Sequence, residues 1–130
     1  MTITPMTPDD APALLSLSQE WGGRAWQFLG GNHGIVAQDE HGVAGFALFR
    51  EENFGIVADE LWSYPNRRGR LAWLALYRWL EGAAQAKARD LGRPAGIGGM
   101  VHCINPKMES ALKKRGYKVV AHILAKEVTA

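Results

Sequence analysis

The chain has 130 residues, of which 47% are hydrophobic and 22% are charged, and its formal net charge is +2 at pH 7. This size suits one hydrophobic core, and we expect residues 1–130 to form a single domain. The sequence contains neither an apolar run of ~20 residues nor a signal peptide, which argues against a membrane protein. Cys103 is the only cysteine, so we expect a cytoplasmic protein without an intramolecular disulfide.

Two patterns near the amino terminus predict a strand followed by a helix. Residues 2–6 alternate as in a strand, and Thr7-Pro8-Asp9-Asp10 combines a cap, a proline and acids that are typical of a helix start. Apolar residues continue at helical spacing to the break at Gly22-Gly23. Residues 24–29 fit a short second helix.

The next segment predicts three antiparallel strands. Residues 34–38 and 43–50 form a hairpin around the turn Asp39-Glu40-His41-Gly42. Residues 54–63 form the third strand. Strict alternation would place Ile56, Ala58, Glu60 and Trp62 on one face, and Val57, Asp59, Leu61 and Ser63 on the other.

The longest helix is predicted from about Gly69 to Leu91, with Gly92 as its stop. Its polar stripe comprises Arg78, Glu81, Gln85 and Arg89, and its buried face comprises Trp73, Leu76, Tyr77, Leu80, Ala84 and Leu91. A helical crossover leads to a parallel strand in residues 95–103. A shorter helix runs from residue 105 or 106 to 115, and residues 117–128 return as an extended strand or strand pair.

The resulting order is βα(α)βββαβαβ, which predicts an α/β (α+β) fold with a mixed, mostly antiparallel sheet of six to seven strands and helices on both faces. This order resembles the GNAT acyltransferase superfamily over nearly the whole chain. Three stretches carry the resemblance: residues 2–11 at the first strand and helix start, residues 61–69 with the proline and Arg-Gly before the long helix, and Asn105 with residues 111–117. Among GNAT proteins, the chain is most similar to short members encoded by tailed bacteriophages.

The resemblance implies acetyl-CoA or a related acyl-CoA as co-substrate and an amine as acceptor. The start of the long helix would bind the pyrophosphate, because its first N–H groups and the helix dipole favour anions. The preceding strand would accept the pantetheine arm. The implied cofactor-binding residues are Leu61, Trp62, Ser63, Arg67, Arg68, Gly69, Arg70, Leu71, Ala72 and Asn105.

The chain departs from the family pattern at two places. The family has Gln or Arg, two residues, Gly, one residue, and then Gly or Ala. Starting at Arg68, the small positions hold Leu71 and Trp73, and starting at Asn66 they hold Gly69 and Leu71. The arginines would then carry more of the phosphate binding. Leu112 stands where the family often has a tyrosine general acid.

Two residues are candidates for catalysis. Glu60, in the strand before the long helix, could act as the base, and His102, near the end of the fifth strand, could move a proton. Asp59 is a weaker candidate for the base. A surface ion pair for Glu60 and a hydrogen-bonded structural role for His102 remain open. No spacing of histidines, cysteine and acids indicates a metal site, so we expect none.

Three functional hypotheses remain open. The first is an N-acyltransferase that moves an acetyl or similar group from acyl-CoA to an amine on a small molecule or a protein. The second is a catalytically degenerate GNAT-fold phage protein, acting as a virion component or binding a host protein, and located in the virion or the host cytoplasm. The third is a nucleic-acid module that uses a basic cluster, although the near-neutral total charge argues against it: Lys107, Lys113, Lys114, Arg115 and Lys118. A homodimer also stays open, and no membrane partner is expected.

Overall fold

The computed structural model describes residues 1–10, 12–14, 33–99 and 106–118, together with Lys126 and Val128. These ranges contain five strands and two complete α-helices, besides a 3₁₀ turn at Pro8–Asp10 and the helical residues 12–14. The strands and complete helices are β1 (Thr2–Pro5), β2 (His33–Asp39), β3 (Gly42–Glu52), β4 (Gly55–Ser63), α1 (Arg67–Leu91), β5 (Gly96–Gly99) and α2 (Pro106–Lys114). Within the described ranges, neither helix could cross a membrane, since neither is both long and apolar enough.

The five strands form one sheet in the order β1-β2-β3-β4-β5. The first three pairings are antiparallel, and β5 lies parallel to β4, as predicted for a strand reached through a helix. The described strands are slightly fewer than the six to seven predicted. The strand predicted in residues 117–128 and the end of the one predicted in residues 95–103 fall largely outside the described residues.

The start of the first predicted helix is visible as a 3₁₀ turn at Pro8–Asp10. The Asp10 carboxylate accepts a hydrogen bond from the Thr7 backbone N–H at 2.8 Å, one half of a capping box. Residues 12–14 are helical, and Leu14 is fully buried. The helix predicted in residues 24–29 is outside the described residues.

Helix α1 begins two residues before the predicted start. Asn66 is its N-cap, with an extended backbone, and the helix ends at Gly92, which adopts the left-handed conformation at φ 66°. The buried residues recur at intervals of one to four residues along one face, and they are Gly69, Ala72, Leu76, Tyr77, Leu80 and Ala84. The predicted polar stripe is exposed. Trp73 and Leu91, which we expected to be buried, are half-buried: Trp73 lies beside the buried Ala72 rather than on the same side of the helix, and Leu91 is the last residue of α1.

Among the described residues, the buried hydrophobic side chains form two groups, one on each face of the sheet. Small and branched residues of β2, β3 and β4 pack with α1 in the first part, around Ala47, Ile56, Ala72 and Leu76. The second part is a smaller group of four buried residues, Leu14, Val36, Phe46 and Leu48. In the described part of the chain, the α1 face therefore holds more of the buried hydrophobic side chains.

Strand β4 contains one extra residue. Leu48 of β3 pairs with Glu60, but the next residue, Phe49, pairs with Ala58, so Asp59 has no partner in the ladder. This is a β-bulge, which bends a strand and interrupts its alternation.

The bulge overturns our prediction that one face of β4 carries Ile56, Ala58, Glu60 and Trp62. Ile56 and Ala58 pack on the α1 side of the sheet, and so does Leu61 after the bulge. Trp62 packs against the core of the opposite face. Because Glu60 and Trp62 both follow the bulge, they still share a face with each other.

Residues 101–130 form a compact unit distinct from residues 1–100. Its described part is α2, which ends at Lys114, one residue before the predicted end. Lys113 and Glu109 form an exposed ion pair one helical turn apart, at 3.3 Å. The prediction of a single domain stays a prediction.

Candidate functional site

The first turn of α1 follows β4 after only three residues, Tyr64-Pro65-Asn66. The Asn66 side chain accepts a hydrogen bond from the Gly69 N–H at 2.8 Å, and its carbonyl accepts one from the Arg70 N–H at 2.9 Å. The N–H groups of Arg67 and Arg68 lie in the first turn, where no intrahelical acceptor exists. This turn therefore presents donors and the positive end of the helix dipole, which suit an anion.

Gly69 allows the helix start to approach the end of β4. A β-carbon at position 69 would stand 1.6 Å from the carbonyl oxygen of Tyr64, far inside van der Waals contact. Ala72, one turn later, is fully buried. The two small residues thus set the distance between the helix start and the sheet, and both were predicted as cofactor-binding.

The three arginines of the helix start have different surroundings. Arg67 and Arg70 are exposed, so their guanidinium groups can reach a ligand in solvent. Arg68 is half-buried and is paired with Asp39 at the end of β2: its Nε donates to Oδ2 at 2.6 Å and its Nη2 donates to Oδ1 at 2.8 Å. Among the described residues, Arg68 is therefore the predicted phosphate-binding arginine whose guanidinium has acceptors within the protein.

The pairing with Arg68 changes the acidity of Asp39. The hydrogen bonds from Arg68 lower the pKa of the Asp39 carboxyl from its ordinary 3.8 to about 2, against a smaller opposing effect of desolvation. The backbone N–H of His41 donates to the same carboxylate at 2.9 Å and acts in the same direction. Reciprocally, the hydrogen bond to Asp39 raises the pKa of Arg68. Asp39 is ionised at every pH at which the protein would work.

The end of β4 supplies the predicted pantetheine contacts. Leu61, Trp62 and Ser63 pair with β3 on one side of the strand. The Trp62 ring stacks on Phe46, with centroids 6.1 Å apart, and meets the edge of Tyr64 at 4.9 Å. These contacts fix the strand end that leads into α1.

On its other side, β4 pairs with β5 from Gly55↔Gly96 to Ala58↔Gly99. The rest of the strand predicted in residues 95–103 lies beyond Gly99, outside the described part of the chain. His102 and Asn105 fall there too, so their roles stay predictions. Leu71 is 52% exposed on the first turns of α1.

The two acidic candidates lie at the bulge. Asp59 accepts two hydrogen bonds from Arg50 Nε, at 3.0 and 2.9 Å, and Arg50 also donates to Glu52 at 2.6 Å. Arg50 follows Leu48 by two residues on β3, so the bulge turns Asp59 toward the same face as Glu60 rather than toward the expected opposite one. Glu60 is half-buried and pairs with Leu48 of β3.

Two features of the site were not predicted from the sequence. Asn66 was considered only as a possible start of the family's glycine pattern, although an asparagine three residues before Gly69 is a typical N-cap signal. Asp39 was assigned only to a turn, and its partner is 29 residues away along the chain. Among the described residues, no group of three or more histidine, cysteine and acidic side chains could hold a metal ion.

No family model matches the sequence, and neither does any curated protein. Solved structures do match. An aminoglycoside antibiotic 6'-N-acetyltransferase from Acinetobacter haemolyticus aligns with 13% identity and a TM-score of 0.71, covering 100% of this chain and 99% of the other. A ribosomal-protein-alanine N-acetyltransferase from Brucella melitensis biovar Abortus 2308 aligns with 13% identity and a TM-score of 0.73, covering 98% and 100%.

A third similar structure is the aminoglycoside N-acetyltransferase AAC(6')-Iy in complex with CoA, at 13% identity and a TM-score of 0.66, covering 99% of this chain and 100% of the other. At such identities the likeness concerns the fold. The predicted GNAT-like fold is confirmed, since this chain shares the fold of these acetyltransferase structures.

Proposed function

We propose that the protein is an N-acyltransferase that moves an acetyl or similar acyl group from acyl-CoA to an amine. The observation that carries this proposal is the start of α1: an N-capped helix with first-turn N–H groups and two exposed arginines, set directly after β4. Such a turn suits a pyrophosphate. The fold shared with acetyltransferases, one of them in complex with CoA, supports CoA as the source of that pyrophosphate.

The phosphates would be bound by the backbone N–H groups of the first turn and by the side chains of Arg67 and Arg70. Both guanidinium groups are exposed at the correct end of the helix, and charge-assisted hydrogen bonds are stronger than neutral ones. The main chain of Leu61, Trp62 and Ser63 would hold the pantetheine arm. The exposed side chain of Leu71 and the side chain of Asn105 complete the proposed contacts, while Gly69 and Ala72 keep the helix close to the sheet.

The reaction would be a direct attack. Glu60 takes a proton from the acceptor ammonium, directly or through water, and the amine nitrogen then forms a bond to the thioester carbon. Backbone N–H groups at the end of β4 stabilise the oxyanion of the tetrahedral intermediate. The C–S bond breaks as the carbonyl re-forms, and the CoA thiolate receives a proton from a group that we propose to be His102. The nitrogen of the new amide gives up its second proton to the same group, directly or through water, which restores that group. None of these steps requires a metal.

The proposal identifies the acceptor as an amine and does not choose between a small molecule and a polypeptide. The similar structures include one protein described as acting on an aminoglycoside antibiotic and another described as acting on the alanine of a ribosomal protein. Both names describe N-acetylation, in one case of a small molecule and in the other of a polypeptide. We propose the same reacting group for this chain and place it on the Glu60 face of the sheet.

Binding of CoA provides the first test. Isothermal titration with CoA and thermal melting at millimolar CoA would show binding by the parent protein. Arg67→Ala with Arg70→Ala should weaken binding about 10-fold or more, because two charge-assisted contacts are lost. Arg78→Ala, on the exposed stripe of the same helix, is the matched control and should bind as the parent does. Absence of any melting shift with the parent protein would refute the proposal.

A second candidate is a GNAT-fold phage protein that has lost catalysis and binds a host or virion protein. The observation that favours it is Leu112 at the position of the family's tyrosine acid. Release of the CoA thiol across a panel of amines separates the two candidates. Thiol release supports the enzyme, whereas tight CoA binding with no release from any amine supports the second candidate.

A further inference from the structure

The strongest feature outside the proposed ligand contacts is the Arg68 side chain, which joins two distant parts of the described fold. Its Nη2 atom donates to the carbonyl oxygens of Gly42 at 2.9 Å and Val43 at 3.4 Å, in addition to Asp39. The guanidinium carbon lies 5.5 Å from the centre of the Tyr64 ring. One side chain therefore ties the turn between β2 and β3 to the first turn of α1.

The pairing is shielded from solvent more than a surface ion pair. The Arg68 and Asp39 side chains are 27% and 20% exposed, and the two groups meet in a bidentate arrangement. A guanidinium in this geometry has lost the freedom that an exposed arginine keeps. Reaching a phosphate in solvent would require it to leave a carboxylate and at least one carbonyl.

The anchored residue is itself part of the anion-binding turn. The N–H of Arg68 lies in the first turn of α1, where intrahelical hydrogen bonds do not fix it. Asn66 fixes the neighbouring N–H of Gly69. With the side chain of Arg68 held by Asp39 and the N–H of Gly69 held by Asn66, two adjacent residues of this turn are fixed before a ligand arrives. A preorganised site binds more tightly than a mobile one.

We infer that Asp39 and Arg68 form a positioning pair that orients the first turn of α1 for the phosphates of acyl-CoA, and that Arg68 is not itself a phosphate ligand. This inference rests on the proposed function. It changes the role that the sequence suggested for Arg68, and it assigns a role to Asp39, which the sequence placed only in a turn.

The two roles of Arg68 predict opposite effects of Asp39→Asn. If the pair positions the turn, Asp39→Asn and Arg68→Ala should each raise the Kd for CoA about 5- to 10-fold, and the double variant should be no worse than Arg68→Ala alone. If Arg68 binds phosphate, Asp39→Asn releases its guanidinium and removes a nearby negative charge, so CoA should bind more tightly.

The experiment measures the Kd for CoA by calorimetry at a temperature well below each variant's melting point, so that unfolding does not contribute to the measured Kd. Arg68→Lys, which keeps the charge but loses the bidentate geometry, should recover only part of the affinity. Arg89→Ala near the other end of α1 is the control. Tighter binding by Asp39→Asn, or unchanged Kd values with lowered melting temperatures, would overturn the inference. A parent protein that does not bind CoA would instead overturn the proposed function as well.

Discussion

The carbonyl oxygen of Tyr64 occupies the space that a side chain at Gly69 would need, since a β-carbon there would stand 1.6 Å from it. Gly69→Ala should therefore push the helix start away from β4 and destabilise the protein by about 3 kcal/mol, the upper end for overpacking. Chemical denaturation measures this loss.

Gly82→Ala is the matched control on the same helix, because a β-carbon at position 82 would meet nothing within 4 Å. That variant should be more stable than the parent by roughly 0.5–1 kcal/mol. If the two substitutions changed the unfolding free energy equally, the close approach of Gly69 to the Tyr64 carbonyl would be contradicted.

The cap of α1 gives a second prediction. Asn66→Ala removes the acceptor for the Gly69 N–H and should cost about 1 kcal/mol of unfolding free energy, a typical value for an N-cap. Asn66→Asp keeps an acceptor and adds a negative charge at the positive end of the helix, so it should retain the stability. The same aspartate should weaken CoA binding, because it repels the phosphates. Urea denaturation and CoA titration of both variants separate stability from binding, and an aspartate variant that binds CoA as the parent does would argue against phosphates at this turn.

The acidity of Asp39 gives a third prediction, on the pH dependence of stability. The folded-state pKa of about 2 lies below the ordinary 3.8, so this carboxylate stabilises the folded state above about pH 4. The contribution is lost as the pH falls from about 4 to about 2, while Arg68 stays protonated throughout. The difference in melting temperature between the parent and Asp39→Asn should shrink across this window. A difference that stays constant down to pH 2 would show that the charge of the Asp39 carboxylate does not contribute to the stability of the folded state.

The proposed base gives a fourth prediction. Glu60→Gln keeps the size of the side chain but cannot take a proton, so kcat should fall about 100-fold or more, with the Kd for CoA unchanged. Steady-state kinetics over a range of pH should also show that the acidic limb of the rate profile disappears. Glu51→Gln, an exposed neighbour on β3, should have the kinetics of the parent. If Glu60→Gln retains full activity, the base is another group.

The elements that the sequence predicted best are those that local chemistry specifies. The turn at residues 39–42 carries its own signal in Asp39 and Gly42, and the exposed stripe of α1 follows from helical spacing. The parallel placement of β5 follows from the helical crossover before it. Each of these features depends on residues that lie within a few positions of one another or on a general rule of chain connection.

The features that the sequence did not predict depend on which distant segments meet. The bulge at Asp59 exists only relative to β3, and nothing in the alternation of β4 distinguishes a regular strand from a bulged one. The same holds for Arg68, which has the sequence context of a phosphate ligand. Asp39 reaches the Arg68 guanidinium only because the turn between β2 and β3 lies close to the start of α1.

Because of the bulge at Asp59, the number of residues in β4, rather than the identity of residue 59, decides which face of the sheet the following side chains occupy. A substitution at Asp59 would leave each following side chain of β4 on its present face of the sheet. Deletion of that one residue would restore plain alternation, and it would turn the Trp62 indole toward α1 and Leu61 away from it. Natural variation at this position should therefore consist of substitutions and not of deletions, because a change in length would exchange the two faces of the strand end that leads into the helix.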